Sequence, residues 1–208
     1  CVEWRADWFE DFQSPAAIAR CIQKLRVALR DKLLLVTLRT KAEGGEQALS
    51  HPEYLAFLRL ILDTDCADLL DIEFFTAGAD LPALVEQAHS AGVAVVCSSH
   101  DFAKTPPRAE LISRMVQMQQ AGADLPKLAV MPRCRTDVLE LLAATAEMAD
   151  LHPETPVITM SMGALGAVSR LAGETFGSAM TFANPGQASA PGQVSLNIVN
   201  EVLDALHL

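Results

Sequence analysis

The sequence predicts an α/β protein of the closed (β/α)8 TIM-barrel type, and three observations carry that reading. Short apolar, often β-branched runs alternate with stretches of helical periodicity. The runs are continuously apolar, as in strands covered on both faces of a parallel sheet. Charged and polar residues fall in or just after many different runs, which suits a barrel whose strand ends face one shared pocket. The competing architecture is an open doubly wound sheet. No GxGxxG follows an early strand, which weakens its dinucleotide-binding version.

Taken in order, the strand-like runs are VEWRAD at 2–7, LLLVTL at 33–38, LLDIEFF at 69–75, VAVVCS at 93–98, KLAVM at 127–131, PVITM at 156–160 and SAMTFA at 178–183. Helical stretches begin at Pro15, Pro52 and Leu81, then at Pro107, Thr136 and Gly163, and a last one runs from Val194 to the C-terminus. Several open on proline, whose missing N–H is not needed in a first helical turn. Repeats of about 25–35 residues match βαβ units. No composition break marks a linker, so residues 1–208 read as a single catalytic barrel domain. Seven runs are one short of eight, and the chain opens abruptly inside a strand pattern. The expectation is an N-terminally incomplete barrel whose first strand precedes Cys1, because seven strands alone leave an unpaired parallel edge.

Composition narrows the function. A formal charge of −10 argues against nucleic-acid or anionic-membrane binding, which need cationic surface. It leaves room for a small anion held by a few focused arginines. No apolar run approaches the roughly 20 residues that span a bilayer, and no signal segment opens the chain. The five cysteines are odd in number and form no CxxC pair, a pattern of reduced thiols in a cytoplasmic protein. The scattered histidines form no HExxH or Cys/His cluster, so no metal site is expected.

Several charged residues sit where apolar runs begin or end. Glu3 and Arg5 alternate with Val2, Trp4 and Ala6 and share one strand face. Arg39 follows LLLVTL, and Glu43 stands just before Gly44-Gly45. His100 follows VAVVCSS, and Arg170 lies in GALGAVSRLAG. Lys127 opens KLAVM, the end of a run where barrel geometry expects residues that serve stability. Its long stem can still carry the amine up the interior, where burial and nearby cations (Arg5, Arg39, Arg170) would free it as a nucleophile. The loop at 183–193, rich in Gly, Pro and Ser, reads as a lid bringing Ser189 and Gln193 as hydrogen-bond donors.

Six segments in order, EWRAD at 3–7, LRTKAEGGE at 38–46, SSHDFAKTP at 98–106, PKLAVMP at 126–132, MSMGALGAVSRLAGETFGSA at 160–179 and SAPGQ at 189–193, resemble the type I 3-dehydroquinate dehydratase family from end to end. The resemblance implies a homodimeric hydro-lyase of the shikimate (aromatic amino acid) pathway that converts 3-dehydroquinate to 3-dehydroshikimate without a cofactor. It implies that Lys127 forms the Schiff base, that His100 is the general acid–base and that Glu43 orients it. Arg170, Ser189 and Gln193 are then expected at the substrate carboxylate and lid, with Glu3, Arg5 and Arg39 at the ring hydroxyls. Family members carry a further strand ahead of EWRAD. Two other readings share parts of the pattern: a class I aldolase or transaldolase, which also uses a barrel lysine, and a catalytically silent barrel acting as a binding scaffold.

Overall fold

Every apolar run but the last becomes a strand, and a helical segment follows each. The computed structural model describes residues 1–206. Its strands are β1 (Val2–Arg5), β2 (Leu34–Thr37), β3 (Leu69–Glu73), β4 (Ala94–Asp101), β5 (Leu125–Val130) and β6 (Ile158–Ser161). From β1 to β4 they are hydrogen-bonded neighbours in sequence order, and β5 neighbours β6. The β1/β2, β2/β3, β3/β4 and β5/β6 pairs are parallel, with Val2 opposite Leu34, Leu69 opposite Ala94 and Lys127 opposite Ile158. The helices are α1 (Pro15–Leu29), α2 (His51–Leu62), α3 (Phe74–Ala77), α4 (Leu81–Ser90), α5 (Arg108–Gln120), α6 (Arg135–Leu151), α7 (Ala167–Leu171) and α8 (Leu196–Leu206). The helix expected from Val194 begins at Leu196, and its expected extension over residues 207–208 lies outside the described residues.

Local chemistry sets the boundaries. Ser14 caps α1, its hydroxyl accepting the Ala17 N–H at 3.3 Å, and Pro15 fills the first turn. At the start of α2 the Glu53 carboxylate accepts both the N–H and the hydroxyl of Ser50, at 2.7 and 2.6 Å. LLDIEFF stops being a strand at Glu73, because Phe74 and Phe75 enter the short helix α3. The run at 178–183 makes no ladder. Ser178 forms an isolated bridge with Val157, and Ala179 N–H donates to the Val157 carbonyl at 2.8 Å. Side chains take over there: Thr159 N–H donates to Ser178 Oγ at 3.1 Å, and the Thr181 hydroxyl donates to the Arg170 carbonyl at 2.9 Å. The described residues thus hold six strands, one fewer than the runs suggested.

The chain divides into two compact units, residues 1–98 with 121–124, and residues 99–120 with 125–208. In the first, Leu35, Leu70, Ile72, Val95 and Val96 are buried with Ile22, Leu58, Ile61 and Leu84 from the helices. In the second, Leu128, Val130 and Ile158 are buried with Leu111, Met115, Leu141 and Met148. The strand positions are not uniformly apolar. In β3, Leu70 and Ile72 point to one face while Asp71 and Glu73 point to the other, and all four are buried. All five cysteines are free thiols.

Candidate active site

In the first unit, Arg39 organises a buried ionic cluster. Its Nη1 donates to Glu73 Oε1 at 2.9 Å and to Ser98 Oγ at 3.0 Å, and its Nη2 donates to Asp71 Oδ1 at 2.9 Å. Glu43 Oε2 stands 3.6 Å from Nη1. Ser98 Oγ donates in turn to Asp71 at 2.6 Å. Burial works against the Arg39 charge, but the carboxylates of Asp71, Glu73 and Glu43 outweigh it and raise the guanidinium above its ordinary value. Glu43 ends the 3-10 turn Lys41–Glu43, and the left-handed Gly44 follows it.

Nearby in the same unit, Arg5 grips Asp7 with two bonds of 2.7 Å, Nε to Oδ1 and Nη2 to Oδ2. Asp7 also accepts the Glu46 N–H at 3.2 Å. Glu3 accepts the Thr37 hydroxyl at 2.8 Å. Arg5 and Arg39, expected as cations that would free a lysine amine, each have carboxylate partners inside this unit.

In the second unit, Lys127 is not at the opening of its strand. β5 begins at Leu125, so Lys127 is an interior strand residue, 3% exposed. Its Nζ lies 4.4 Å from the centroid of the Phe182 ring. Pro126, just ahead of the expected run, is accommodated as the second residue of the strand. His100 is half-buried near the end of β4. Beside it, Asp101 closes a turn by accepting the N–H groups of Ala103 and Lys104 at 2.9 and 3.0 Å.

Arg170 is buried on α7 and is held differently from Arg39. Its Nη2 donates to the Pro191 carbonyl at 3.2 Å, and its Nη1 lies 3.4 Å from Met160 Sδ. Its Nε has no hydrogen-bond partner, and no carboxylate among the described residues pairs with it. Burial therefore pulls its guanidinium below the ordinary value. The Pro191 contact ties Arg170 to the expected lid. In that loop Gln193 Oε1 accepts the Ser189 N–H at 2.7 Å, and Gln193 Nε2 donates to Ser189 Oγ at 3.1 Å. Gly192 is left-handed, and a Cβ there would come within 2.4 Å of the Gly163 carbonyl.

Sequence reasoning missed Asp7, Asp71, Glu73 and Ser98, and it missed the partners Met160 and Phe182. Asp71 and Glu73 carried a readable signal. They alternate in an apolar strand just as Glu3 and Arg5 do, the pattern that singled those two out. Among the described residues no group of three or more His, Cys, Asp or Glu side chains is arranged to hold a metal ion. No helix among them is long and apolar enough to cross a membrane. A surface groove of about 670 Å³ between α2 and α4, lined by Arg59, Leu62, Glu86 and Gln87, contains none of the candidate residues.

Parallel strand–helix units with ionisable side chains buried along the strands mark an enzyme of the TIM-barrel-like α/β class. The family model for type I 3-dehydroquinase matches residues 1–208. A 3-dehydroquinate dehydratase of Bacillus subtilis (strain 168) is 48% identical over 206 residues, covering 99% of this chain and 81% of its own. The crystal structure of type I 3-dehydroquinate dehydratase from Clostridium difficile, solved with covalent modified comenic acid, superposes with a TM-score of 0.95 at 44% identity, over 99% of this chain and 81% of that one. The structure of a 3-dehydroquinate dehydratase from Enterococcus faecalis gives 0.92 at 39% identity, over 100% of this chain and 82% of that one. The chain belongs to the type I 3-dehydroquinase family.

Proposed function

We propose that this chain dehydrates 3-dehydroquinate to 3-dehydroshikimate through an iminium on Lys127. Family membership supports the hydro-lyase activity and its place in the shikimate pathway, and type I enzymes need no external cofactor. The observation that carries the covalent route is the burial of Lys127 inside β5. Lysine is among the residues least often buried, and such sites are where amines become nucleophiles.

The reaction removes one proton and one hydroxyl from neighbouring carbons. The Lys127 amine adds to the substrate ketone and water leaves, giving a protonated imine that accepts electrons from the adjacent C–H bond. His100 takes that proton, leaving an enamine. The enamine expels the β-hydroxyl, which departs as water with the proton held by His100. Hydrolysis of the conjugated imine restores the lysine, so the net change is loss of one water. Glu43 holds the imidazole and favours its protonated form. Arg170 takes the substrate carboxylate with a planar, bidentate cation, which the orphaned Nε and the missing carboxylate partner support. Ser189 and Gln193 close over it, and Glu3, Arg5 and Arg39 serve the ring hydroxyls. General acid–base help of this kind contributes about 10²- to 10⁴-fold.

Residues 1–208 act in this reading as one catalytic domain of a cytoplasmic homodimer. Five free thiols suit the reducing compartment, and the exposed Leu196 and Ile198 on α8 suit a partner surface. Borohydride reduction during turnover tests the route. The expected result is a substrate adduct on Lys127 that the Lys127→Ala variant lacks, with a conjugated enone as the product. No adduct on active protein refutes the covalent route, and aldol fragments in place of the enone refute the dehydration.

A further inference from the structure

Glu73 joins three segments of the first unit and has none of the roles assigned above. Its Oε1 accepts from Arg39 Nη1 at 2.9 Å and from the Thr40 N–H at 2.8 Å. Its Oε2 accepts from the hydroxyls of Thr40 and Thr76 at 2.7 and 2.6 Å. Its own N–H donates to the phenolic oxygen of Tyr54 at 2.7 Å. The side chain is fully buried, so no solvent competes for these contacts.

Thr40 is the residue from which the Glu43 turn is built. Its carbonyl accepts the N–H groups of Glu43 at 3.0 Å and of Gly45 at 2.8 Å. Gly45 packs directly on the Arg39 backbone, since a Cβ there would meet the Arg39 carbonyl oxygen at 1.9 Å. A single anchored residue therefore separates the Glu73 carboxylate from the turn that carries Glu43. The same carboxylate fixes Arg39 Nη1, the atom that faces Glu43.

We propose that Glu73 is a positioning residue for the dehydration: it sets the Arg39 guanidinium and, through Thr40, the turn that presents Glu43. The inference rests on the roles given above to Glu43 and Arg39. A merely structural strut would lower stability and act independently of Glu43. A positioning residue loses its effect on turnover once Glu43 is disabled.

The test is a double-mutant cycle of Glu73→Gln and Glu43→Gln, read in kcat and KM with the Lys127 adduct followed by borohydride trapping. Expected is a fall in kcat of about tenfold for Glu73→Gln, with the adduct still forming and KM raised several-fold through Arg39. On the Glu43→Gln background the same change should cost less than about twofold in kcat. A tenfold loss on both backgrounds, or kcat within about twofold of the parent in the single variant, overturns the link to Glu43. An unchanged KM on both backgrounds overturns the link to Arg39. Parental kcat in Glu43→Gln itself would instead refute the role of Glu43, and the proposal with it. If Glu73→Gln does not fold, Thr40→Val removes only the hydroxyl bond to Oε2. It should lower kcat about threefold on the parent and leave Glu43→Gln unaffected, and equal losses on both overturn the proposal.

Discussion

Arg170→Met keeps an unbranched apolar stem and removes the charged head, so it separates what the guanidinium does for the fold from what it does for a ligand. The fold loses the bond from Nη2 to the Pro191 carbonyl, a charged donor to a neutral acceptor, at a cost of about 1.5–3 kcal/mol. It is relieved of the buried Nε, which has no partner, a gain of about 1–3 kcal/mol. The two nearly cancel. Unfolding free energy should change by no more than about 2 kcal/mol, and Tm by no more than about 8 °C for a chain of this size. Catalysis has no such offset. A carboxylate held by two charge-assisted bonds loses about 1.5–3 kcal/mol for each, or at least about 10²-fold in kcat/KM. The assays are thermal melting of the ligand-free protein and the growth of enone absorbance. A kcat/KM within about tenfold of the parent would show that no carboxylate rests there. A Tm drop beyond about 10 °C would make the guanidinium a strut of the fold and not a waiting anion receptor.

Three further substitutions follow from local geometry. Gly45→Ala must displace the turn that carries Glu43, because its Cβ would sit 1.9 Å from the Arg39 carbonyl oxygen; a strong loss of kcat is expected, and parental kinetics would count against that turn's importance. Tyr54→Phe strands the buried Glu73 N–H that donates to the phenol, which should cost about 1–3 kcal/mol and lower Tm by about 2–12 °C; an unchanged Tm would mean that the N–H finds another acceptor. At the start of α2 the Ser50 hydroxyl and then its N–H hold the Glu53 carboxyl below its ordinary value, so their stabilisation is present at neutral pH and fades as pH falls through the lowered value. Ser50→Ala should therefore lower Tm at neutral pH and converge on the parent in acid, whereas an equal gap at both would exclude the ionised contact.

Much of this arrangement was legible because buried parallel strands tolerate few polar residues, so those that do occur stand out. Glu3, Arg5, Arg39, His100 and Lys127 were visible as charges set in or beside apolar runs. Other parts were hidden for identifiable reasons. Phe74 and Phe75 have strand-like side chains, yet the chain turns into α3 at that point. The run at 178–183 has strand composition, but the Ser178 hydroxyl takes the Thr159 N–H of β6 and the Thr181 hydroxyl ties the run to the end of α7. The Arg170 environment could not be read at all. Whether a buried arginine has a carboxylate beside it depends on tertiary neighbours such as Met160 and Pro191, which no local pattern encodes.

The bonds between Ser189 and Gln193 have a consequence for how the loop treats ligands. Both side chains already spend hydrogen bonds on each other, Gln193 Oε1 on the Ser189 N–H and Gln193 Nε2 on Ser189 Oγ. A ligand that engages them trades one set of bonds for another and gains little in net affinity. A ligand that displaces them without offering matching donors and acceptors leaves polar groups stranded and loses the whole difference. Under the proposed reaction the loop would then work as a comparator, adding little grip on the right molecule and imposing a large penalty on the wrong one.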